Sequence, residues 1–181
     1  MSLFLATLLP GLFLALLGGL LLSNNTAVSS GAKALPRSRR GAWIFFGAGV
    51  VWFIWRLQRL GEADLIFFSR PQPVMIGFGI LAVLAFIYAS DFLAVRGLCV
   101  LVLLASEPLL YAAYMEYSHP QRLLMVTAVY LALALALYFA AAPYRVRDFF
   151  EWLFRVPSRP RLLGAILLAY GLATSAAAFT Y

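Results

Sequence analysis

The chain has 181 residues, 64% of them hydrophobic and only 12% charged, with a mean hydropathy of +0.92. A water-soluble domain of this size cannot hide so much apolar surface, so the composition excludes an ordinary soluble fold and predicts an all-α polytopic integral membrane bundle. The net charge of +7 comes from residues that flank apolar runs and do not gather on one basic face, which argues against a nucleic-acid partner.

About 20 residues cross a hydrocarbon core of about 30 Å, so the chain holds about six spans in one transmembrane domain covering 1–181. The first runs over 3–22, an uncharged stretch broken only by Pro10 and glycines. No basic residue precedes it, which favours a span over a cleaved signal segment. Residues 23–31 read as a flexible loop; Asn24-Asn25-Thr26 within it fits a glycosylation acceptor but falls on the side predicted to be cytoplasmic. The second and third spans, 42–57 and 74–90, are short, and Arg56 is expected to snorkel to the interface. Between them, 56–64 mixes charge signs and 65–68 is expected to dip back toward lipid. The fourth span covers 97–115, the fifth 123–142 and the sixth 162–181. The apolar runs are continuous, not alternating, so they are helices and not barrel strands.

Between the fifth and sixth spans, Val146, Phe149, Phe150 and Leu153 recur at helical spacing, with Arg147, Glu151 and Arg155 on another face. This pattern predicts an amphipathic helix over 146–155 lying on the membrane surface and stopped by Pro157 and Pro160. Orientation follows from the basic residues, which are retained in the cytoplasm. Ten lie in the loops after spans one, three and five, against four on the other side. Both termini are therefore expected to face away from the cytoplasm, and the basic loops to meet anionic lipid headgroups. The 13 Arg against one Lys suggest a bacterial inner membrane on composition alone.

Glu107 is the sharpest candidate site residue. A carboxylate inside a span is costly and is by default a functional hypothesis. Pro108 follows it and removes a backbone donor. Tyr111 and Tyr114, four and seven residues on, share its helical face and are potential hydrogen-bond donors, as are Thr127 and Tyr130 on span five. The plainer reading is a carboxyl that only ties helices together. Asp91 and Arg96 frame the turn between spans three and four and are expected to close it as an ion pair. Gly11, Ala15 and Gly19 on span one, and Ala165, Ala169, Ala173 and Ala177 on span six, recur every four residues as candidate helix-packing or partner seams.

Catalytic signatures are lacking. With one His (His119) and one Cys (Cys99), neither an intrachain disulfide nor a cysteine cluster can form, and the Glu116/His119 pair is too small a ligand set for a metal. No cofactor is expected, and Cys99 reads as inert packing. The predicted function is a non-catalytic membrane subunit or accessory factor, partnered by other membrane proteins or by copies of itself. The alternative is a small proton-coupled transporter or channel built on Glu107.

Overall fold

The computed structural model describes residues 1–59, 71–89 and 91–181, and over these it is all helical. The predicted 65–68 dip, most of the mixed-charge 56–64 loop and the last residue of the predicted third span lie outside the described residues.

Helix α1 (Leu3–Leu22) starts where the Ser2 hydroxyl accepts the Leu5 amide, and it runs through Pro10 without stopping. The expected loop after it is instead helix α2 (Thr26–Ala34). The correction has a local cause: the Asn25 side chain accepts the Ala27 amide at 2.9 Å, an N-cap that outweighs the glycine and serine content. A 3-10 turn (Leu35–Arg37) leads into a short turn, α3 (Arg39–Gly41), capped by Ser38. A π-helical stretch over Ala42–Phe46 then continues as α4 (Gly47–Leu57).

Helix α5 (Gln72–Tyr88) returns antiparallel to α4, with Phe53 against Phe78 and Trp43 stacked on Phe86 at 4.6 Å. Helix α6 (Leu93–Ala113) begins after Phe92, which takes a left-handed turn at φ 60°. The helix thus starts four residues earlier than the predicted Gly97, which brings Arg96 into the first helical turn. Helix α7 (Arg122–Ala141) runs back along α6, burying Met125 and Val129 against Ala113 and Ala6. Only Ala142 and Pro143 separate it from α8 (Tyr144–Leu153), which turns Val146 and Leu153 inward. Helix α9 (Ser158–Ala178) follows, with Pro157 at its cap and Pro160 in its first turn, where a missing amide costs nothing.

Among the described residues four helices, α1, α6, α7 and α9, are long and apolar enough to cross a membrane. Helix α5 has 17 residues, and the π stretch and α4 together occupy 42–57, so these two apolar segments are shorter than the others.

Two close approaches organise the bundle. Helices α1 and α9 are antiparallel and touch backbone to backbone. A Cβ on Gly18 would stand 2.4 Å from the Leu168 nitrogen, and one on Gly171 would stand 2.4 Å from the Ala15 nitrogen. The π stretch and α6 meet in the same way at Gly97, whose Cβ would fall 2.3 Å from the Phe46 nitrogen. Here the chains are parallel: Phe46 meets Gly97, Gly49 meets Val100, and Arg56 meets Glu107, always 51 positions apart.

Candidate functional site

Glu107 is the fifteenth of the 21 residues of α6, so it lies about 9 Å from that helix's C-terminal end at 1.5 Å per residue. It therefore sits in the outer third of α6, not halfway along a span as its sequence position suggested. The parallel register of α4 carries Arg56 to the same level, and its Nη2 donates to both Glu107 carboxylate oxygens. Both side chains are partly exposed, 41% for Arg56 and 58% for Glu107. The costly acid thus has its counter-ion within the chain. Arg56, read from the sequence as a lone snorkelling residue, is the partner of Glu107 that sequence reasoning missed. No local signal joins residues 51 apart, and only the helix register brings them together.

The predicted tyrosines do not complete this site. Tyr111 is exposed, and Tyr114 caps α6 with extended backbone, so the helical face it was to share ends before it. Among the described residues no hydrogen bond links Tyr111, Tyr114, Thr127 or Tyr130 to Glu107. Thr127 neighbours the Tyr170 hydroxyl instead, and that hydroxyl donates to the Leu124 carbonyl at 2.7 Å. Pro108 does not break α6. With Pro10 of α1 it lines an open hollow of about 410 Å³, also bordered by Phe13, Trp52 and Ala132. Ser106 is the only hydroxyl of that lining, and it is already spent on the Leu103 carbonyl at 2.7 Å.

The Asp91–Arg96 ion pair is not formed: among the described residues neither has an ionic partner within 4.0 Å. The left-handed turn at Phe92 accounts for this, since it puts Arg96 on the exposed outer face of α6 while Asp91 borders a groove beside α5. Arg122 closes the other end of α6 by donating to the Ala113 carbonyl, a cation on the negative end of a helix.

The seams are partly corrected. Gly11 and Ala15 do meet α9, but Gly19 has nothing within 4 Å of its Cβ position, and the contact is made by Gly18. On α9, Gly164, Gly171 and Ser175 face α1, and of the predicted ladder only Ala177 is buried; Ala165, Ala169 and Ala173 are exposed. A step of four residues advances about 40° around a helix, whereas a step of seven falls back only about 20°, so Gly11 with Gly18 and Gly164 with Gly171 follow this long contact while a four-residue ladder drifts off it over several turns. Ser175 Oγ is buried at this contact without a hydrogen-bond partner among the described residues.

At the opposite end of the bundle from the Arg56–Glu107 pair, α2 and the 3-10 turn touch α8. A helix forms over 144–153, close to the predicted 146–155. Arg147 holds Asp148 at 2.8 Å and approaches Glu151 at 3.9 Å. The hydrogen bond to Asp148 raises the Arg147 guanidinium above its ordinary value, so it remains cationic. Arg159 folds back over the Trp152 ring and donates to the Trp152 carbonyl at 2.8 Å.

Comparison with known families, curated proteins and solved structures gives no significant match.

Among the described residues no group of three His, Cys, Asp or Glu side chains is placed to hold a metal. His119 packs edge-on against Tyr181 at 5.1 Å. Cys99 is buried among Val95, Ala136 and Val146. What the arrangement offers is a paired Arg56 and Glu107 near one end of the bundle, a basic and aromatic rim at the other, and long apolar helix surfaces between them.

Proposed function

We propose that this chain is a non-catalytic membrane subunit or accessory factor that docks against a larger membrane protein or a further copy of itself. One observation carries the reading: Arg56 satisfies Glu107 internally. The acid is then a tie between α4 and α6, and the surfaces still without a use are those turned toward lipid. The outward ladder Ala165, Ala169 and Ala173 is the proposed contact, since small residues let a second helix approach closely and helix association in lipid depends on such packing. We further propose six spans, with the π stretch plus α4 and with α5 as the two short ones, both termini away from the cytoplasm, and a bacterial inner membrane as the location. The contact of α2 and the 3-10 turn with α8 supports placing the basic loops after spans one and five on the same side of the bundle, on which this orientation rests. A transport role would need the Arg56–Glu107 pair to open onto a polar path, and the hollow beside Pro108 supplies one hydroxyl, already bonded.

Mild-detergent purification from native membranes tests the reading. A stoichiometric membrane partner, or a homo-oligomer, is expected to co-elute, and Ala169→Leu is expected to release it without changing the helical content of the chain. Elution of the wild type alone as a monomer would overturn the proposal.

A further inference from the structure

We propose that the groove between α5 and the π–α4 run binds one phospholipid, with the phosphodiester held by Arg37 and Arg39 and the acyl chains lying along the groove. This stands independently of the subunit reading. The groove encloses about 1020 Å³. Its charged residues, Arg37, Arg39 and Asp91, all belong to the segments at one end, and the rest of its length is apolar. Glycines keep it open: Gly47 on α4 and Gly79 on α5 both line it, and neither has any atom within 4 Å of its Cβ position. Helix α5 buries none of its residues in the bundle, so the groove faces lipid along its length.

Charge selects the occupant. Two guanidiniums against the Asp91 carboxylate leave a single positive charge at the mouth, matching the single negative charge of a phosphodiester. Arg37 lies over the Phe92 ring at 5.7 Å, a contact that positions the guanidinium without using its N–H donors. Among the described residues neither Arg37 nor Arg39 takes part in an ion pair within 4.0 Å. A planar guanidinium with several donors suits phosphate oxygens. Length agrees as well. From Ala42 to Ile54 the groove follows thirteen residues, roughly 18 Å of helix over their twelve steps, close to the roughly 15 Å of one leaflet's hydrocarbon. Trp43 lies at the charged end of this run, at the level where indole rings favour the headgroup boundary. The π stretch that shapes this end is a backbone irregularity often met at functional sites.

Native mass spectrometry of the detergent-purified full chain, titrated separately with dioleoylphosphatidylglycerol and with dioleoylglycerol, tests the assignment. The expected result is one retained equivalent of phosphatidylglycerol, bound at least about tenfold more tightly than the phosphate-free lipid. Arg37→Gln with Arg39→Gln should erase that preference, while Arg147→Gln on α8, outside the groove, should leave it intact. Gly79→Leu, which fills the groove without touching an arginine, should lower phosphatidylglycerol occupancy severalfold. Equal binding of the two lipids, a preference that survives the double substitution, or an equal loss with Arg147→Gln would overturn the proposal. So would a photo-crosslinker at position 83 that labels protein and not lipid.

Discussion

Two neighbouring glycines on α1 give opposite expectations for the same substitution. At Gly18 an alanine methyl would meet the Leu168 nitrogen at 2.4 Å, the Gly164 oxygen at 2.6 Å and the Leu168 Cα at 2.8 Å, whereas at Gly19 it would meet nothing within 4 Å. All three obstacles at Gly18 are backbone, so no side chain can swing aside. Restoring ordinary contact near 3.5 Å requires α1 and α9 to separate by about 1 Å. Such overpacking costs about 1–3 kcal/mol, and the intrinsic helix gain of Gly→Ala returns at most about 1 kcal/mol. Gly18→Ala should therefore destabilise the protein by about 1–2 kcal/mol, while Gly19→Ala keeps the gain and comes out neutral or slightly stabilising. The assay is reversible unfolding in mixed micelles of rising dodecyl sulfate fraction, followed by far-UV circular dichroism. If Gly18→Ala proves no less stable than Gly19→Ala, the seven-residue seam is wrong and the four-residue ladder through Gly19 is restored.

The Arg56–Glu107 pair should behave as a coupled unit: Arg56→Gln and Glu107→Gln each destabilise, and the double variant loses less than their sum. A coupling of at least about 0.5 kcal/mol is expected in the same unfolding assay, and additive losses would dissolve the pair. Arg122→Gln should cost about 1 kcal/mol by uncovering the Ala113 carbonyl at the end of α6, and hydrogen exchange should rise in the last turn of that helix and not in its first. For topology, single cysteines at Ser30 and Ser118 in a Cys99→Ala background should react with an impermeant maleimide from opposite sides of sealed vesicles. Labelling of both from the same side would overturn the topology.

Much of the fold could be read locally because lipid leaves the backbone few options. Long uncharged runs had to become helices, and α1, α6, α7 and α9 each match a predicted span to within about four residues at either end. Helix α8 was legible as a helix because Val146 and Leu153 fall on one face and Arg147 and Glu151 on another. What escaped the sequence depended on relations between segments. Helix α2 was hidden because its glycine and serines suggest a loop unless the Asn25 cap is weighed. The true seam was hidden because small residues are plentiful and only the crossing geometry tells Gly18 from Gly19. Glu107 was legible as unusual, but Arg56, its partner, was not, because nothing local specifies that α4 and α6 run in parallel with a fixed offset.

The π turn at Ala42–Phe46 gives this part of the chain an unusual tolerance of changes in length. A π turn is in effect an α-helix carrying one surplus residue, absorbed locally so that the turns on either side stay close to their phase. Losing one residue of this stretch would let the helix heal into regular α form, with Arg37 and Arg39 still beside the groove and Arg56 still level with Glu107. The same loss within the regular turns of α4 would rotate everything before it by about 100° relative to everything after it. Single-residue deletions within 42–46 should therefore be better tolerated than single-residue deletions within 48–53.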